Sequence, residues 1–332
     1  MAVLWVAVFA ISLWLTGFLR RYALTRSLMD VPNERSAHST PTPRGGGVAI
    51  VVAFLISLPG LAFAGALSLP ALAAFSGAGL LIAIIGFADD HGHIAARWRL
   101  LGHFMAAGWV LLCFGGIAPV EVGGVMLSLG YGGLVVGAFF LVWMLNLYNF
   151  MDGIDGLASI QAITACLGMC AIYWSVGAVD LIWAPLMLAV AVSGFLYWNF
   201  PPARIFMGDA GSGFLGLIIG SMALLAAWSN PELLWGWLIL LGVFVVDATF
   251  TLVRRLIRGD KVYQAHSSHA YQNAARRWGH GRVTLGVALI NVFYLLPISM
   301  LVSLGCISDV SGVALAYMPL LMIACFLKAG KA

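Results

Sequence analysis

The sequence predicts an all-α integral membrane protein of about eleven helices. Its N-terminus is expected outside, its C-terminus in the cytoplasm and its active site at the cytoplasmic face. Three observations predict this. Of the 332 residues, 62% are hydrophobic and 9% charged, where a soluble domain carries about 25% charged residues. Apolar runs of membrane-crossing length recur from end to end. The basic residues fall only in alternate loops and the C-terminal tail.

The expected spans run, in order, 2–19, 46–65, 68–88, 100–117, 132–149, 157–176, 179–199, 213–229, 233–253, 284–305 and 311–327. The first has no Lys or Arg before it, which suits a retained span rather than a cleaved signal peptide. Pro185 and Pro297 lie inside later spans, where membrane helices tolerate them. No repeat, low-complexity linker or appended soluble segment interrupts the pattern, so residues 1–332 read as one membrane domain. Loops 20–45, 89–99, 200–212 and 254–282, with the tail, hold all 17 Lys and Arg; the same face, counting Asp247 at a helix end, holds nine acids, a net +8. The opposite face has only Glu121, Asp180, Glu232 and Asp309, a net −4. The positive-inside rule then places the rich loops in the cytoplasm. All seven histidines fall on that side or, for His103, just inside the membrane there. Cys113, Cys166, Cys170, Cys306 and Cys325 show no metal-ligand spacing and read as small core residues.

Four inner loops concentrate polar groups. "DVPNERSAHSTPTPRGGG", Asp30 to Gly47, is stiffened by Pro41 and Pro43, and its glycines let backbone approach a neighbour or ligand. Arg44 there could meet a phosphate, or the loop could be a basic lipid-facing turn. "FADDHGHIAARWR" sets Asp89 and Asp90 at the mouth of a span, with Arg97 and Arg99 beyond. Such carboxylates suit Mg²⁺, which takes one or two of them plus substrate phosphates, and one could act as a general base. A solvated helix end paired with the arginines is the plainer alternative. "NLYNFMDGIDGLA" offers Asn146 and Asn149 on one helix face, then Asp152 and Asp155 between glycines, with no basic partner. In "YWNFPPARIFMGDAGSGFLG", Asn199 ends a span, Arg204 is the one cation, and Asp209 opens the next span, where helix N–H groups suit an anion.

The last inner loop differs in kind. Arg254, Arg255, Arg258 and Lys261 precede "HSSHAYQ", and Arg276, Arg277 and Arg282 follow. His266 and His269 lack the further soft ligands a zinc site needs, so phosphate contact or proton handling near neutral pH is the better reading. Asp247, inside a span, is a suspect for function or for an ion pair with Arg254 or Arg255. Together these groups suit phosphoryl transfer between a soluble phosphorylated donor and a lipid acceptor. No Walker or kinase signature suggests a nucleotide triphosphate, and nothing suggests nucleic acid.

Taken in order, "PTPRGGG", "FADD", "NLYNFMDGIDGLA", "NFPPARIFMGDAGSGFLG" and the histidine loop resemble the polyprenyl-phosphate N-acetylhexosamine-1-phosphate transferases (glycosyltransferase family 4). The resemblance spans essentially the whole chain, and the first loop and "HAYQ" look most like the O-antigen-initiating, WbpL-type branch. It implies transfer of a HexNAc-1-phosphate from a UDP-sugar to undecaprenyl phosphate in the bacterial inner membrane, with release of UMP. It also implies Mg²⁺, with Mn²⁺ as a substitute, and is compatible with a homodimer. By the resemblance, Asp89 is the base that deprotonates the lipid phosphate and Asp90 belongs to the metal and phosphate region. Asp209 and Asn149 match Mg²⁺ positions. Asp152 and Asp155 match acids linked to nucleotide binding and loop order. Asn199 and Arg204 fall in the same region, and His266 and His269 fall where the family has a histidine cluster near the nucleotide-sugar. Arg44, Arg97 and Arg99 are the basic groups left for lipid phosphate or loop contacts.

Two other classes of membrane protein share features with this sequence. A transporter shares the many spans and intramembrane acids, but its site is expected near the midplane, whereas these acids crowd at one face. Transfer from CDP-linked donors needs Ala-Arg after the first Asp-Gly, where this chain has Ile154 and Asp155.

Overall fold

The computed structural model of the chain describes residues 2–26, 28–32, 40–92, 94–260 and 266–331. Glu34, Arg35 and His38 of the first loop, with His93 and Lys261, lie outside the described residues. In order, the elements are α1 (Ala2–Thr25), β1 (Met29–Asp30), β2 (Thr42–Pro43), α2 (Val48–Phe63), α3 (Leu69–Gly92) and α4 (Ala96–Phe114). Then come β3 (Val120–Val122), β4 (Val125–Leu127), α5 (Gly130–Met151), α6 (Leu157–Ser175), α7 (Trp183–Asn199) and α8 (Asp209–Ala227). The chain ends with α9 (Glu232–Leu240), α10 (Gly242–Ile257), α11 (Ala270–Trp278), α12 (His280–Ile290), α13 (Leu296–Ser303) and α14 (Asp309–Phe326).

Each expected span falls on a helix or a broken helix. Among the described residues eight helical segments are long and apolar enough to cross a membrane, or nine if the bent pair α9–α10 is one span. α2 has 16 residues, about 24 Å at 1.5 Å per residue, short of a hydrocarbon core of about 30 Å. α4 spends its first turn on Arg97 and Arg99. The ninth expected span bends by 74° between α9 and α10, at Leu241. The tenth is α12 and α13 joined by a π-turn over Asn291–Leu295, two residues before Pro297, whose missing N–H leaves one carbonyl of that turn without its ladder partner. Asn291 fills that turn by donating from Nδ2 to Gln161 Oε1 at 3.0 Å and Thr164 Oγ1 at 2.7 Å.

The centre of the bundle is α8, with 17 of its 19 residues buried. Its alternation of glycine with Leu, Ile and Phe is what permits this, because small residues let helix backbones approach closely. A Cβ on Gly216 would stand 2.3 Å from the Met144 carbonyl oxygen of α5. A Cβ on Gly86 of α3 would stand 2.5 Å from the Ala210 nitrogen of α8. On the opposite end of the bundle, β3 and β4 form a hairpin that the sequence reading had as plain loop. Its turn, Gly123–Gly124, has φ of 61° and 82°, the left-handed pair that two-residue hairpins require. Asp309 accepts from the Gly123 N–H at 3.0 Å and ties the hairpin to α14.

Gly216→Ala is expected to force α5 and α8 apart, costing roughly 1–3 kcal/mol by overpacking. Gly108→Ala, where an added Cβ meets nothing within 4 Å, is the control. Thermal unfolding in detergent checks this: only the first variant should show a lowered apparent Tm, and equal curves would refute the tight contact.

Candidate active site

At one end of the bundle the ends of α3 and α5 meet the start of α8. Asp90 is buried, and its carboxylate accepts from the Asp209 N–H at 3.2 Å and the Ala210 N–H at 3.4 Å. It thereby covers donors that a helix start leaves unpaired. The next two N–H groups, of Gly211 and Ser212, turn back to the Gly208 carbonyl at 3.1 Å. The first turn of α8, expected to face an anion, is therefore occupied by the protein itself. The Arg44 guanidinium donates to the Asp90 carbonyl. The following glycines lie along the fourth motif, with Gly46 and Gly47 N–H donating to the Phe206 and Met207 carbonyls at 2.9 and 2.8 Å. A Cβ on Gly47 would reach the Gly211 Cα at 2.5 Å, which explains the glycine run as close backbone approach.

Asp89, next in sequence, faces elsewhere. It accepts from the Ile94 N–H at 2.7 Å and pairs with Arg99. Arg99 also stands 3.5 Å from Asp209 Oδ2 and so links the two acids. Asn149 donates from Nδ2 to Asp209 Oδ1 at 2.9 Å and to Ser212 Oγ at 3.1 Å. Its amide oxygen accepts no hydrogen bond among the described residues.

The third and fourth motifs are stitched together. Asp155 is buried, accepts from the Ala203 N–H at 3.0 Å and stands 3.1 Å from His280 Nδ1. Asn199 accepts from the Gly156 N–H and donates to the Ile205 carbonyl, both at 3.0 Å. These two side chains hold loops in place. Asp152 does not: among the described residues no hydrogen bond reaches its carboxylate. Burial, followed by the charges of Asp209, Asp90 and Asp155, pushes its pKa well above the usual carboxylate range.

One cavity of about 230 Å³ gathers Arg44, Asp90, Asn149, Asp152, Asp155, Asn199 and Asp209. A smaller one, about 60 Å³, is bordered by Asp89, Arg99, Asn146 and His103 and shares Asn149 and Asp209 with it. Residues from all four motifs therefore converge. Ser212, Gln272 and His280 also line the larger cavity and were missed. Ser212, three residues after Asp209, shares its helix face, a signal the sequence does hold. His280 carried none, standing in a stretch read as basic loop.

Other expected residues sit outside both cavities. Arg97 stacks over Trp98 at 5.6 Å, and Arg204 lies over Tyr197 and Trp198 at 5.4 and 5.6 Å. His269 is buried, with Nδ1 3.3 Å from Asp247 Oδ1. Asp247 also accepts from the Ala270 and Tyr271 N–H groups at 2.9 Å and caps α11, rather than pairing with Arg254 or Arg255. His266 stacks on His269, ring centroids 4.8 Å apart. Burial, then His269 and Arg255, push its pKa down to about 4, so it is neutral near pH 7 and does not titrate there.

The donor set fits a hard divalent cation held jointly with phosphates. Asp209, Asp152, the free Asn149 oxygen and Ser212 are oxygen ligands of the kind Mg²⁺ takes, and no cysteine lines the cavity. Among the described residues no three His, Cys, Asp or Glu side chains stand close enough to hold an ion alone. Phosphate oxygens would complete its shell.

Long apolar helices closed at one end by an acid-lined cavity define a multi-pass membrane protein with a charged binding site at its surface. Residues 72–227 match the description of glycosyl transferase family 4. The chain is 31% identical over 297 residues to a decaprenyl-phosphate N-acetylglucosaminephosphotransferase of Mycolicibacterium smegmatis, covering 79% of this chain and 72% of that one. It is 28% identical over 263 residues to a probable undecaprenyl-phosphate N-acetylglucosaminyl 1-phosphate transferase of Bacillus subtilis, covering 77% and 72%. It is 26% identical over 293 residues to a phospho-N-acetylmuramoyl-pentapeptide-transferase of Shouchella clausii, covering 83% and 88%. The chain belongs to glycosyl transferase family 4, the polyprenyl-phosphate HexNAc-1-phosphate transferases, and is an enzyme of that phospho-sugar transferase class.

A carboxylate with a raised folded-state pKa favours its protonated form in the fold, so its contribution to stability is lost as pH rises. Without divalent cations, wild-type apparent Tm is expected to fall as pH climbs from 3.8, the unshifted value, to 8. Asp152→Asn should flatten that fall and be the more stable protein at pH 8. Parallel wild-type and variant profiles would remove Asp152 from the repelling cluster.

Proposed function

We propose that the chain transfers a HexNAc-1-phosphate from a UDP-sugar to undecaprenyl phosphate, releasing UMP at the cytoplasmic face of the bacterial inner membrane. The observation that carries this reading is the convergence of four separate motifs on one acid-lined cavity at a single end of the bundle. A midplane site, as a transporter would have, is not favoured by that position.

In this reading Asp89 accepts the proton of the lipid phosphate, with Arg99 balancing its charge. A lipid phosphate oxygen then attacks the β-phosphorus of the donor. The new P–O bond forms as the bond to the UMP oxygen breaks, and UMP leaves as the anion. Direct attack is favoured over an aspartyl intermediate because Asp89 is held by Arg99 and Ile94, and Asp90 by the start of α8. Mg²⁺, or Mn²⁺ in its place, would be held by Asp209 and Asn149 with Asp152 nearby, and would neutralise charge on the diphosphate. Asp155, Asn199 and Arg44 order the loops around it. The product is proposed to initiate O-antigen or a related envelope polysaccharide, in the WbpL-type branch. Eleven crossings with the N-terminus outside remain the proposed topology, with α2 as the short one and α4 as the one that carries Arg97 and Arg99 in its first turn.

The test is purified protein in detergent with undecaprenyl phosphate, Mg²⁺ and labelled UDP-GlcNAc, UDP-FucNAc or UDP-QuiNAc. At least one donor should yield UMP and a lipid-extractable product, chelation should stop the reaction and Mg²⁺ restore it. UMP from none of the three sinks the proposal. Asp89→Asn and Asp209→Ala are each expected to lower kcat by about 100-fold or more with the protein still folded. Near wild-type turnover in either would overturn the role given to that residue.

A further inference from the structure

The ends of α10, α11 and α14 enclose a separate cleft of about 730 Å³ that shares no lining residue with the active-site cavity. Six cations face it, Arg255, Arg258, Arg276, Arg277, Lys328 and Lys331, against one acid, Asp260. Asp260 stands 3.7 Å from both Arg255 and Arg258. Among the described residues Arg277, Lys328 and Lys331 have no acidic partner. Gathering like charges is costly unless an anion offsets them.

The cleft is built rather than incidental. The C-terminal segment that carries both lysines is tied back to it. Arg254 donates to the Ala329 carbonyl at 2.9 Å and Arg258 to the Gly330 carbonyl at 2.7 Å. Asn273 donates to the Leu327 carbonyl, and the Gly330 N–H to the Ser268 carbonyl, both at 2.8 Å. An inner-face charge bias asks only for basic residues somewhere in these loops. It does not ask that they surround one cavity.

Next to the cations, the helix ends are apolar and open. Leu256 and Ile257 of α10 are 63% and 81% exposed, and Phe326 of α14 is 69% exposed. Charge beside bare hydrocarbon is the pattern of a leaflet boundary, where basic heads stay at headgroup level and apolar surface lies in the acyl region. The bilayer that covers this apolar surface brings lipid headgroups to the level of the cations, whereas a soluble anion would meet the cations alone.

We propose that this cleft binds an anionic phospholipid of the cytoplasmic leaflet, its phosphate diester among the cations and its acyl chains along the exposed ends of α10 and α14. The site is independent of the transfer reaction, so its test reads lipid retention and not turnover.

Native mass spectrometry of the full chain in a neutral detergent would compare phosphatidylglycerol with phosphatidylcholine. Wild type is expected to retain the anionic lipid at least about tenfold better, since each basic residue at a membrane surface is worth about fivefold. The triple variant Arg277→Ala, Lys328→Ala, Lys331→Ala should lose that preference, and Arg277→Lys should keep it. Should the triple variant aggregate, Lys331→Glu alone should lower phosphatidylglycerol retention severalfold. Equal retention of the two lipids by wild type, or unchanged preference in the variants that lose cations, would overturn the site. Displacement of phosphatidylglycerol by millimolar inorganic phosphate or UMP would assign the cleft to a soluble anion and overturn it too.

Discussion

The carboxylate of Asp90, seated on the first turn of α8, is the constraint from which the rest of the site follows. It joins the last turn of α3 to the first turn of α8, and its own carbonyl receives Arg44 from the first loop. Three chain segments far apart in sequence are thereby fixed to one another. Asp209 is presented only because Asp90 satisfies the backbone beneath it. Without that cap the N–H groups of a buried helix start would be left unpaired, a cost of about 1–3 kcal/mol each. Close helix contacts make the cap possible, since Gly86 brings the α3 backbone against Ala210.

Around this joint the charges are deliberately unequal. Arg99 serves Asp89 and reaches Asp209, while Asp152 faces the other acids with no hydrogen-bond partner among the described residues. A surplus of negative charge with a free amide oxygen beside it is a poor resting arrangement and a good receptor for a cation that arrives with phosphates. The periphery is settled by other means. Asp247 holds the first turn of α11 together with His269, and α11 in turn sends the Tyr271 hydroxyl to the Phe150 carbonyl at 3.0 Å. His269 and Tyr271 thus brace the acid-bearing turn from behind, while only Gln272 and His280 of this region line the cavity.

Much of this was legible in the sequence, and what was not has physical causes. Helical segments announce themselves through length and apolar content, so each expected span falls on a helix or a broken helix, eight or nine of them among the described residues long and apolar enough to cross a membrane. Breaks at Leu241 and at Asn291–Leu295 were not legible, because a turn at a leucine inside an apolar run, or a π-turn before a proline, leaves composition unchanged. The alternation of loop charge placed the four motifs at one end. It could not divide Asp89 from Asp90, since neighbours on a helix differ by about 100° in direction and only the packing of α8 decides which one caps. His266 and His269 drew notice by their spacing, whereas His280 acts through Asp155, a partner 125 positions away that no local pattern reveals. The Gly123–Gly124 hairpin was readable in principle, being two glycines between short β-branched runs.

The burial of nearly every side chain of α8 also bears on how such an enzyme diversifies. Positions packed on all sides and spaced by obligatory glycines tolerate few changes, so the helix that presents Asp209 is close to immutable. The segment from Ala270 to Thr284 reaches the same cavity through only Gln272 and His280 and has an exposed outer side at Arg276, Arg277 and Trp278. Sequence variation, whether by drift or by engineering, has its room there, on a replaceable rim around a fixed centre.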